Sequence, residues 1–158
     1  GNYKHIFYIK LLLNNAKNFC DVKAIAVQMA TWIFVRAFSY FELVQLYGNV
    51  ILLTEPIDLD SEKLSASRND RSVVIDQVIK DLKEAAEDLP ETVSEAGRLT
   101  KYAAYAMLSR VALFEGTWQK FHTNGKDATT NTARSEELLT IAKDAADKVI
   151  SCKKYKLF

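Results

Sequence analysis

Two histidines, His5 and His122, are the side chains best suited to proton transfer or metal ligation near neutral pH, and they stand at opposite ends of the chain. Neither belongs to an HExxH pair, a Glu-x-x-His pair or any other spacing that places two ligands on one helix face. Cys20 and Cys152 are too far apart for a metal-ligand spacing and too few for a disulfide framework, so both are expected to be small buried or half-buried residues. The chain also lacks a Gly-rich phosphate loop, a GxSxG elbow and a CxxC pair. No catalytic residue, metal ligand or cofactor site is therefore assigned, and the pattern points away from an enzyme.

Three other features carry charge or aromatic chemistry. Asp81, Glu84 and Asp88 sit among lysines and read as a solvated helix face. Arg36 is the one charged residue between Ala24 and Phe41. A buried guanidinium needs a partner, so an ion pair with Asp81 or Glu115 on a neighbouring helix is expected. The stretch Gly116–Gly125 contains Trp118, Phe121 and His122 among amides and hydroxyls. Flat aromatic faces suit the apolar CH face of a sugar ring, which makes these three residues the candidate ligand contacts. The alternative is that Trp118 and Phe121 pin a loop onto the helices beneath.

The elements that position these residues follow from composition and periodicity. With 49% apolar and 26% charged residues the chain can bury a core, and 158 residues correspond to one domain or a piece of a longer one. A formal charge of +1 offers no positive excess for a nucleic acid or an anionic membrane. The Ala24–Phe41 run resembles a membrane span, but Gln28, Thr31, Arg36 and Ser39 interrupt it, and a charge inside a lipid-exposed span costs at least about 2.5 kcal/mol. It reads instead as the central helix of a bundle, covered on several sides. The N-terminal residues lack the order of a signal peptide.

Five helices are predicted: about 3–19, 21–47, 71–89, 100–116 and 135–150. The third has the clearest pattern, with Ile75, Val78, Ile79, Leu82, Ala85, Ala86 and Leu89 at three- and four-residue steps. Asn69 or Asp70 can cap it, and Pro90 follows it. Thr100 caps the fourth, whose alanines allow a neighbouring helix to approach to about 8 Å. Gly48 and Gly116 are read as helix ends. Val50–Leu53 is predicted as an extended crossing segment, and Thr117–Arg134 as irregular.

Arg36-Ala37-Phe38-Ser39-Tyr40-Phe41-Glu42-Leu43-Val44-Gln45-Leu46-Tyr47-Gly48 resembles a segment of the SusD/RagB family of Bacteroidetes outer-membrane nutrient-binding lipoproteins. The helix from Asp76 to Pro90, the run Gly97-Arg98-Leu99-Thr100-Lys101-Tyr102-Ala103-Ala104, the run from Leu108 to Thr117 and Tyr155-Lys156-Leu157 resemble later segments in the same order. Asn49 and Ile51 replace a common Gly and Pro, and Thr31 replaces a common acidic residue.

The resemblance implies an all-α fold of stacked tetratricopeptide-like hairpins, with residues 1–158 forming a single partial domain of a longer SusD-like scaffold. It further implies a lipid anchor outside this chain and display on the cell surface. The implied partners are a SusC-type TonB-dependent transporter and a glycan, or a peptide as in some relatives. No cofactor is implied. A hairpin adaptor that binds peptides or proteins is the competing expectation, and the two differ in whether a lipoprotein signal precedes residue 1.

Overall fold

The computed structural model describes residues 4, 6–9, 11–12, 15, 22–53, 67–122 and 128–155, with the backbone alone at 22–24 and 128–131. Cys20 and His5 fall outside these residues. The described residues at 4, 6–9, 11–12 and 15 are helical and mark α1. Four long helices follow: α2 (Val22–Tyr47), α3 (Arg71–Asp88), α4 (Lys101–Phe121) and α5 (Ala128–Ser151). Among the described residues there is no strand, only an isolated antiparallel bridge between Val50 and Asn69.

Each boundary has a local cause. Gly48 ends α2 with a φ of 68°, and its N–H donates to the Val44 carbonyl at 2.9 Å. Past it, the Val50–Leu53 segment stays extended, because the Leu52 N–H donates to the Asn69 side-chain carbonyl and the Leu53 N–H to the Tyr40 hydroxyl, each at 2.8 Å. Asp70 supplies the cap of α3, accepting from the Ser72 N–H at 2.8 Å, while Asn69 serves the bridge instead. Thr100 caps α4 by accepting from the Ala103 N–H.

The helices stack in chain order, α2 on α3, α3 on α4 and α4 on α5, and α2 only grazes α4. Apolar side chains of α2, α3, α4 and α5 meet in one core that holds Tyr40, Phe41, Val44, Ile75, Val78, Leu82, Leu108, Val111 and Leu138, and Ile6 of α1 is fully buried in it. A smaller cluster joins Ile9, Ile33, Ala85, Ala86, Leu89 and Ala104. Among the described residues, every buried side-chain polar atom has a hydrogen-bond partner.

Several expectations need correction. Gly116 does not end α4: the helix continues to Phe121, and α5 begins at Ala128, so most of the stretch read as irregular is helical. A glycine inside a helix costs about 1 kcal/mol relative to alanine, but here the missing side chain admits α5. A Cβ on Gly116 would lie 3.1 Å from the Leu139 side chain and 3.3 Å from Leu138 Cβ. The hydroxyl of the buried Ser135 donates to the Gly116 carbonyl at 2.7 Å, tying α5 to α4 beside the glycine, and the Thr117 hydroxyl donates back to the Leu113 and Phe114 carbonyls.

Asp81 does not belong to a solvated face. It is fully buried, three residues past Val78 and four before Ala85 on the same side of α3, while Glu84 and Asp88 are exposed as expected. On α2, Trp32 and Phe38 remain about 40% exposed because the helix packs mainly on α3. Tyr155 lies edge-on against the Tyr102 ring at 6.1 Å while staying exposed. Cys152 is half-buried and donates to the Val149 carbonyl.

Candidate functional site

Two buried Arg–carboxylate pairs tie successive helices together. Arg36 on α2 meets Asp81 on α3 through two hydrogen bonds of 2.7 Å, from Nε to Oδ2 and from Nη2 to Oδ1. Gln77 donates to the same carboxylate at 2.6 Å. Burial alone would lower the Arg36 pKa, but hydrogen bonding and the charge of Asp81, with Glu84 behind it, hold the guanidinium above its ordinary value. Of the two carboxylates expected to face Arg36, Asp81 is the one that does.

Glu115 on α4 pairs with Arg71, the first residue of α3. The Arg71 Nη2 donates to Glu115 Oε2 at 2.7 Å and Nε to the same carboxylate at 3.1 Å and 3.3 Å. Gln119 donates to Glu115 at 2.7 Å, and the Arg71 backbone N–H donates to the Asn49 side chain at 3.1 Å. Both carboxylates are about 1% exposed at the side chain, so water cannot neutralise them and the arginine must. Arg71 had no signal of its own in the sequence. The available hint was Glu115 inside an apolar helix stripe, 44 residues after Arg71, as Asp81 lies 45 after Arg36.

Arg71 also organises the aromatic end of α4. Its Cζ lies 3.8 Å from the Trp118 ring centroid, and the His122 ring lies 3.9 Å from the same ring at an interplanar angle of 6°. Two groups centred within 4 Å of one ring cannot share a face. Trp118 is therefore layered between a guanidinium and an imidazole, with both of its faces occupied from within the chain. The helical period brings Trp118 and His122 together, four residues apart, and the His122 N–H donates to the Trp118 carbonyl at 2.8 Å to close the helix.

Of the three residues marked for ligand contact, Trp118 and Phe121 are thus on a helix and His122 caps it. Phe121 is 72% exposed, with the Lys120 ammonium 5.6 Å from its ring, and His122 is exposed. Elsewhere an open cleft of about 330 Å³ lies between α3, α4 and α5, rimmed by Lys83, Glu87, Asp144 and Lys148. Among the described residues no three His, Cys, Asp or Glu side chains gather as a metal site, and no helix is long and apolar enough to cross a membrane.

A SusD-like family model, described as starch-binding associating with outer membrane, matches residues 1–113. A SusD-like protein of Formosa agariphila is 32% identical over 123 residues, which are 78% of this chain and 23% of that protein. Among solved structures, one determined with a xylogluco-oligosaccharide is 25% identical with a TM-score of 0.77, covering 99% of this chain and 29% of the other. A laminarin-binding SusD-like protein is 28% identical with a TM-score of 0.73, covering 94% and 28%. The chain thus spans less than a third of the length of these relatives.

Proposed function

The chain belongs to the SusD/RagB family, and from that premise we propose that it is part of the helical scaffold of a cell-surface glycan-binding protein of an outer-membrane uptake system. In this reading the whole protein is held at the outer membrane by a lipid anchor, captures an oligosaccharide and passes it to a SusC-type TonB-dependent transporter. It binds and does not catalyse.

The observation that carries the reading is the family match over residues 1–113, joined to a fold shared with two carbohydrate-linked structures. The geometry is compatible with a scaffold role. The two buried carboxylates among the described residues, Asp81 and Glu115, are each paired with an arginine of a neighbouring helix, and the four long helices form a continuous packed stack. A rigid stack of this kind presents loops and helix ends at fixed positions, where ligand contacts concentrate.

Fractionating cells that express the full-length protein and titrating it with a panel of laminarin and xyloglucan oligosaccharides tests both halves. Enrichment in the outer membrane, co-purification of a TonB-dependent transporter and saturable binding of one oligosaccharide are expected. A protein that stays in the cytosol, or that binds none of the glycans but takes up peptides, overturns the glycan reading.

A further inference from the structure

We draw no further inference here: the strongest candidate, the open cleft of about 330 Å³ between α3, α4 and α5, is rimmed by the exposed charges of Lys83, Glu87, Asp144 and Lys148, and nothing in the structure shows what covers it.

Discussion

The two buried ion pairs are built alike yet serve different surroundings. In each, an arginine on one helix meets a carboxylate on the next, and a glutamine four residues from the carboxylate donates to it. Arg36–Asp81 lies midway along α2 and α3 and ends in the core, so everything it contributes goes into the register of two helices. Arg71–Glu115 lies at the start of α3 and near the end of α4, and its guanidinium continues outward into Trp118 and His122. The same chemistry locks a helix pair in one place and organises an exposed aromatic end in the other. Position along the helix, rather than the interaction itself, makes the difference.

Removing one partner from the closed pair should have the largest effect. Arg36→Met leaves the Asp81 carboxylate buried with only Gln77, and urea unfolding is expected to show a loss of about 3 kcal/mol. Unchanged stability would show that the pair contributes nothing to the fold. Arg71→Met strands Glu115 in the same way and should cost a comparable amount, about 3 kcal/mol, but with a second consequence. The near-ultraviolet circular dichroism band of Trp118 should also weaken, a change that Arg36→Met does not produce. If both variants alter that band equally, the contrast between the two pairs is broken.

Gly116→Ala probes how closely α5 approaches α4 beside the second pair. The helix-propensity gain is offset by contacts of 3.1 Å and 3.3 Å with Leu139 and Leu138, and a net loss of about 1 kcal/mol is expected from the unfolding midpoint. Stabilisation would mean that the two leucines give way freely. The smallest effect belongs to the exposed end: Phe121→Ala should leave stability within about 0.5 kcal/mol, in contrast to the two buried pairs.

The pH response follows from Arg36. Its folded pKa is raised, so its contribution is complete below the unfolded value and is lost only as pH rises through the folded one. Both lie well above the alkaline end of ordinary buffers, and thermal melts between pH 7 and pH 10, a span of roughly three units, should show no loss from this group. A fall in that window that disappears in Arg36→Met would contradict the sign.

Much of the scaffold was legible in the residues. The three- and four-residue steps from Ile75 to Leu89, the caps at Asp70 and Thr100 and the stop at Gly48 are local signals, and the helices begin and end on them. The need of Arg36 for a partner was equally legible, because a lone charge in an apolar stretch cannot be left unpaired. Gly116 misled for a physical reason: a glycine's propensity is a local property, whereas the contact that keeps this one inside a helix comes from Leu138 and Leu139 on α5. Asp81 misled likewise, because a carboxylate among lysines is ordinarily solvated and only Arg36, 45 residues away, makes its burial tolerable.

By itself, then, the sequence determined the helical segments, the caps at Asp70 and Thr100, the fold class and the family, since each depends on residue types at short spacings or on motifs in order along the chain. The tertiary structure alone decided which carboxylate answers which arginine, that α4 runs on past Gly116, and that the Arg71 guanidinium lies against the Trp118 ring. Those facts depend on side chains from different helices meeting within 4 Å, and residues far apart along the chain carry no local mark of such a meeting.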